Sequence, residues 1–179
     1  MNWFTADQHH AHKNIIRHCG RPWRSVDKMD RDIISNINDA LSPGDTLYHV
    51  GDFCWAGSDR WHFYEMLMNK YRDDVIHQLI LGNHDKLHPF KYVELGFVQV
   101  HTSLKLEAAF GHTLILNHDP SIHDIVKDIG TLICGHVHGL FKISHRTINV
   151  GVDVWDFKPV SEETIVGIIE EKFNESEQL

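Results

Sequence analysis

The sequence predicts an α/β domain in which mixed β-sheets are covered by helices. Three observations predict it. Short apolar runs alternate with helix-period segments in a βα rhythm, turn residues punctuate each run, and Phe110-Gly111-His112 separates two strand-like runs as an antiparallel hairpin. A length of 179 residues fits a single domain, 1–179, able to bury a substantial core.

Taken in order, Asn2-Trp3-Phe4-Thr5-Ala6 reads as a first strand, 2–6, which leaves no room for a leader peptide. A short helix is expected over 12–18. Met29, Ile33, Ile34, Ile37 and Leu41 recur at helical spacing within 27–41, and Pro43-Gly44-Asp45 stops that helix. Strand 46–50, helix 59–70 and strand 76–81 continue the rhythm with parallel strands. Strands 97–101, 104–109 and 112–117 follow, then helix 121–128 and strands 131–134 and 146–152. Ser161 before Glu162-Glu163 is the expected N-cap of a last helix, 161–173, with acids in its first turn.

Composition narrows the function classes. No apolar run approaches the ~20 residues of a membrane helix, so no membrane partner is expected. Cys19, Cys54 and Cys134 are odd in number and contain no CxxC pair, which argues against a disulfide framework and for a reducing cytoplasm. The formal charge is -8, yet eight acids against two lysines lie from Asp153 onward. Residues 13–31 carry Lys13, Arg17, Arg21, Arg24, Lys28 and Arg31 against Asp27 and Asp30, so a basic segment is left to meet an anionic substrate, with Arg17 and Arg21 as candidate phosphate contacts. The plain alternative is a solvated helix face. Sixteen histidines are the anomaly, since histidine is the commonest metal ligand.

The polar clusters fall at the carboxyl ends of the expected strands, where open α/β sheets collect ligands. Asp7-Gln8-His9 follows 2–6, Gly51-Asp52 follows 46–50, and Gly82-Asn83-His84-Asp85 follows 76–81. Asn117-His118-Asp119-Pro120 follows 112–117, and Gly135-His136-Val137-His138 follows 131–134. Asp7/His9 and His136/His138 are i,i+2 pairs, which in extended chain share a face. The candidate metal ligands are Asp7, His9, Asp52, Asn83, His118, His136 and His138: imidazole, carboxylate and amide oxygen, with no thiolate. That set suits Mn, Fe, Zn, Co or Ni rather than a closed structural zinc site. Seven side chains exceed one tetrahedral ion and suit two divalent metal ions sharing a carboxylate, roughly 3.5–4 Å apart as in two-metal phosphatases and nucleases. Two such ions outweigh the two carboxylates, which favours an anionic phosphoryl group and a hydroxide nucleophile at neutral pH.

These residues reach a known family. DQH at 7–9, GD at 51–52, GNHD at 82–85, NHDP at 117–120 and GHVH at 135–138 resemble the motifs of the calcineurin-like metallophosphoesterases, and residues 149–161 resemble the end of its small stand-alone members. The resemblance implies two mixed β-sheets packed as a sandwich and flanked by helices. It implies one metal on Asp7, His9, Asp52 and His138, and a second on Asp52, Asn83, His118 and His136, with manganese the ion expected to serve best in vitro. It implies His84 as general acid toward the leaving oxygen, with Asp85 orienting it. The family's GD motif often continues to a further Asp or His, whereas here Phe53-Cys54-Trp55 follows.

The expected function is therefore hydrolysis of phosphomonoesters or phosphodiesters by a metal-bound hydroxide, on nucleotide-like small substrates or a nucleic-acid end. Two alternatives stand beside it. Cys54 to Arg60 fits the CxxxxxR phosphate loop of cysteine phosphatases, though that leaves the other clusters unexplained. A non-catalytic metal-binding scaffold would keep the ligands without turnover. His10 and His12 are expected at the surface or beside substrate, and Trp23, Trp55, Trp61 and Trp155 in the core unless one stacks on a base.

Overall fold

The computed structural model describes residues 1–55 and 61–173. Its elements begin with β1 (Asn2–Thr5), α1 (Ile15–His18), α2 (Val26–Ala40), β2 (Thr46–Val50), α3 (Trp61–Met68) and β3 (Ile76–Ile80). They continue with α4 (Pro89–Glu94), β4 (Gln99–His101), β5 (Leu104–Glu107), β6 (Thr113–Leu116), α5 (His123–Val126) and β7 (Thr131–Cys134). The last are β8 (Ile143–Ser144), β9 (Thr147–Asn149), β10 (Val160–Ser161) and α6 (Glu162–Lys172).

Two five-stranded mixed sheets result, ordered β10-β1-β2-β3-β4 and β5-β6-β7-β9-β8. β1 to β4 run parallel, with β10 antiparallel on β1. In the second sheet β6, β7 and β9 are parallel, with β5 and β8 as antiparallel edges. Strand periodicity sorts the core. Phe4, Tyr48, Val50 and Ile80 of the first sheet share one apolar cluster with Leu114, Leu116, Ile133 and Ile148 of the second. Leu47 and Leu79 face the other way, onto Met29, Ile33 and Ile37 of α2 and Tyr64 and Leu67 of α3. Leu132 and Cys134 meet Val126 of α5 on the outer face of the second sheet. Ile33 is fully buried, so Ile33→Ala removes contacts worth about 2–5 kcal/mol.

The helix caps are local. The Ser25 hydroxyl accepts from the Lys28 amide at 3.3 Å, and the expected cap Ser161 accepts from Thr164 at 3.1 Å. The helix expected over 12–18 shrinks to one turn, Ile15–His18, which follows a residue of positive φ at Ala11. The strand expected over 146–152 ends at Asn149, and a 3-10 turn takes Val152–Val154. α4, β8 and β10 were not foreseen, each being six residues or fewer. Residues 59–60 of the expected helix 59–70 lie outside the described residues. Among the described residues, no helix is long and apolar enough to cross a membrane.

Candidate metal centre

All five polar clusters meet at one end of the two sheets. Beyond β1 the chain keeps running beside the exit of β2: the amides of Asp7, His9 and His10 donate to the carbonyls of Gly51, Asp52 and Phe53, each at 3.0 Å. Extended geometry is not what aims the ligands. Asp7, His9, Asp52, His136 and His138 all lie in the left-handed region, with φ from 46° to 72°. That region is sparse for non-glycine residues and enriched for Asp and His among those that enter it. The i,i+2 expectation is corrected accordingly: His136 and His138 diverge into different groups instead of sharing a face. Glycine makes the crowding feasible. A Cβ at Gly51 would strike the His118 ring, and one at Gly82 would strike the Asp52 carboxylate.

Besides a Cys19–His138–Asp153 group, the ligating atoms form two groups, Asp7–His9–His138 and Asp52–His118–His136. Asp52 joins them. Its Oδ2 is 3.4 Å from His9 Nε2 and 3.3 Å from His118 Nε2. Asn83 completes the second group, its Oδ1 standing 3.1 Å from His118 Nε2 and 2.8 Å from His136 Nδ1. His118 Nδ1 donates to the Val50 carbonyl at 2.9 Å, which leaves Nε2 with its lone pair toward the group. His138 Nδ1 meets Asp153 Oδ2 at 2.9 Å and frees Nε2 in the same way.

These donors fit divalent ions. Both nitrogens of His9 are buried without a hydrogen-bond partner, an arrangement that is costly unless something outside the protein takes the Nε2 lone pair. Burial drives the His9 pKa down to about 2, so the ring is neutral and able to ligate. Burial raises the Asp7 carboxyl to about 6. At Asp52 burial also pushes upward, but the hydrogen bond and charge of His118 outweigh it and hold the carboxyl at about 2. His118 is lifted to about 9 against its own burial by Asp52 and Asp7, and His138 to about 10 by Asp153. Protons on these two rings thus balance the buried carboxylates, a role that a divalent cation could take over.

The remaining candidates sort differently. His84 borders the cleft beside the first group: its ring is 5.3 Å from that of His9 between centroids, its amide donates to Asp52 Oδ1 at 2.8 Å, and its Nε2 is 3.9 Å from Asp52 Oδ2. Asp85 does not orient His84 through any described hydrogen bond. Its buried carboxylate accepts from the amides of Asp52, Phe53 and Gly82 at 2.8–3.1 Å and so ties two loops together. Arg21 is no substrate contact either. It is 5% exposed, pairs with Asp153 through two nitrogens at 2.8 and 2.9 Å, and donates to the Asp7 and Gln8 carbonyls. A guanidinium satisfied on both edges cannot also bind phosphate. Arg17 is exposed and outside the cleft lining.

His10, expected near the surface, is fully buried between Asp30 at 3.1 Å and the Tyr71 hydroxyl at 2.7 Å. His12 does line the cleft. Cys54 is 1% exposed and its thiol donates to the His10 carbonyl, which suits packing better than nucleophilic attack; Arg60 lies outside the described residues. Asp153 is the residue that sequence reasoning missed. It sits 15 positions past His138, within the 149–161 stretch whose resemblance assigned it no role.

No family model matches the sequence. The chain is 28% identical over 176 residues to the uncharacterized protein MJ1445 of Methanocaldococcus jannaschii, covering 94% of this chain and 90% of that one. It is 29% identical over 184 residues to the gene 66 protein of Mycobacterium phage L5, covering 86% of each. Among solved structures it is similar to the protein of unknown function AQ665 from Aquifex aeolicus, with a TM-score of 0.73, 26% identity, and coverage of 94% and 99% of the two chains.

Proposed function

We propose that this chain is a small calcineurin-like metallophosphoesterase with the fold of that family, hydrolysing phosphate esters of nucleotide-like substrates at a centre for two divalent metal ions. One observation carries the reading: Asp52 Oδ2 stands between His9 Nε2 and His118 Nε2, 3.4 and 3.3 Å away, as a carboxylate shared between two ligand groups would. The first position takes Asp7, His9, Asp52 and His138; the second takes Asp52, Asn83, His118 and His136. When bound, two such ions supply Lewis-acid charge to the phosphoryl oxygens and lower the pKa of water. The protein's own part is to fix these donors, through Val50 on His118 and Asp153 on His138, and to offer His84 as proton donor to the leaving oxygen.

The test is elemental analysis together with turnover. Protein refolded or dialysed with Mn²⁺ is expected to hold two ions per chain and to cleave p-nitrophenyl phosphate mono- or diesters, with chelation abolishing both properties. Full turnover by metal-free protein overturns the reading. Two bound ions with no turnover on any mono-, di- or cyclic ester favours the non-catalytic scaffold.

A further inference from the structure

Cys19 brings sulfur to a cluster whose other members are imidazole and carboxylate. Of the three cysteines Cys54 and Cys134 are buried, while Cys19 is half-buried and free of any disulfide. It closes α1: its amide donates to the Ile15 carbonyl at 2.9 Å, and beyond the left-handed Gly20 the Arg21 amide donates to the Ile16 carbonyl at 2.8 Å. This turn brings Cys19 and Arg21 to one target. Arg21 clasps both oxygens of Asp153 at 2.8 and 2.9 Å, and Asp153 Oδ2 meets His138 Nδ1 at 2.9 Å. The Cys19 sulfur, a His138 nitrogen and an Asp153 oxygen all lie within 4.8 Å of one another.

Three kinds of donor therefore converge where the two groups of the centre offer only nitrogen and oxygen. Neighbouring donors on a small divalent ion stand roughly 3–4 Å apart, given bonds of about 2.0–2.3 Å. Rotation of the short cysteine side chain about its Cα–Cβ bond supplies the remaining approach. Arg21 does not use up Asp153, because a carboxylate has about four lone-pair sites and can serve a guanidinium and an ion together. Sulfur decides the selectivity: thiolate favours zinc and other soft ions, whereas manganese prefers oxygen. Access is open as well, since Cys19 and His138 both line the cleft of about 690 Å³ beside the first group.

We propose that Cys19, His138 and Asp153 form a further cation site, for a thiophilic divalent ion such as Zn²⁺ or Cd²⁺. On binding, the thiol S–H bond breaks, its proton passes to solvent, and a sulfur–metal bond forms. His138 belongs to the first group too, so an ion held by Cys19 competes for the ring that the first position uses. That competition rests on the two-ion reading of the centre; the site itself does not.

The test is a titration of the Mn²⁺-loaded protein with Cd²⁺, followed in the ultraviolet for thiolate-to-cadmium charge transfer, which nitrogen and oxygen donors do not give. Wild type is expected to develop the band up to one sulfur-bound cadmium per chain. Cys19→Ser should abolish it, whereas Cys54→Ser and Cys134→Ala should keep it. His138→Gln should shift the midpoint to more than about tenfold higher Cd²⁺, as the loss of a ligand requires and a solitary thiol would not show. Cadmium NMR of the wild type needs no variant: the sulfur-bound cadmium should correlate with protons of Cys19 and of the His138 ring. No band in wild type, a band that survives Cys19→Ser, an unchanged midpoint in folded His138→Gln, or correlation with cysteine alone overturns the site. A band without turnover on any ester leaves the site standing and removes the hydrolytic reading; turnover without a band does the reverse.

Discussion

Asp7, His9 and His138 are braced from behind, whereas Asn83 and His136 stand exposed at the rim of the same centre. Behind the first group Arg21 grips the Asp7 and Gln8 carbonyls and Asp153, and Asp153 grips His138. In the second group the His118 ring is anchored to the sheet through Val50 and the His136 amide donates to the Asp7 carboxylate at 2.9 and 3.0 Å, but the side chains of His136 and Asn83 meet only other candidate ligands in the described hydrogen bonds, each other and His118. The difference teaches that ligands can be placed in two ways: by a protein network that exists beforehand, or by mutual contacts that an ion must replace. A preformed site loses less freedom on binding. The braced position is therefore expected to keep its ion when the rim position has already lost one.

The largest expected effect falls where the two groups join. Asp52→Asn removes charge from both positions at once, and kcat should drop by more than about 10³-fold with both ions weakened. Elemental analysis showing one ion lost and the other intact would mean that Asp52 belongs to a single group. His84→Ala should come next. Proton donation contributes about 10²–10⁴-fold, so the loss should be large for an alkyl or nucleoside leaving group and small for p-nitrophenolate. Equal losses on both ester types, with metals retained, would instead assign His84 to phosphoryl binding.

Asp153→Asn sharpens the contrast directly. It cuts the brace on His138, and such outer partners typically contribute 10–100-fold in metal affinity. Competition with a fluorescent chelator should show the tighter of two sites weakening toward the other, whereas His136→Ala should weaken only the looser one. If both variants weaken the same site, the two halves are not separate.

The smallest effect concerns the buried floor beneath the braced half. Gln8 Nε2 donates to His49 Nδ1 at 2.8 Å, His49 Nε2 lies 3.2 Å from His77 Nδ1, and His77 Nε2 lies 3.0 Å from the Arg72 carbonyl. Because an amide nitrogen can only donate, the chain has one direction, and both rings are neutral with the proton on Nε2. Burial holds His49 well below its ordinary pKa and lowers His77 too. A depressed histidine takes up its proton in the unfolded chain first, so stability is full above about pH 6.5 and is lost as the pH falls. Between about pH 7.5 and 5.5 the chelated protein should lose stability, and His49→Gln should shrink that loss in urea denaturation. An unchanged pH dependence would remove His49 from the account.

Much of the architecture was legible because strands and their exits carry strong local signals. Tyr48 and Val50 alternate with Leu47 as a strand buried on both faces requires, and Gly82-Asn83 could only be a loop. The ligand types and their order along the chain were legible for the same reason, since each follows a strand end. What was not legible is how the chain turns. Nothing in Asp7-Gln8-His9 announces alternating left-handed residues, because the conformation is imposed by pairing with Gly51 to Phe53, more than forty positions away. Arg21 misled for a related reason: an arginine in a basic stretch reads as open to an anionic substrate, and its partner Asp153 stands 132 residues off. Trp55 and His12 were visible as residue types but not as a stacked pair.

The five candidate ligands with positive φ carry a backbone cost that their proposed role would have to justify. Each L side chain held there costs the fold on the order of 1–2 kcal/mol that glycine would not. His136 is exposed, so His136→Gly would relax the backbone while deleting a donor. In a library of variants sorted for heat resistance without metal, glycine would be enriched at position 136, where no buried contact is lost; sorted with metal present, it would be depleted. On the proposed reading the sequence best for heat and the sequence best for ion binding would differ first at position 136.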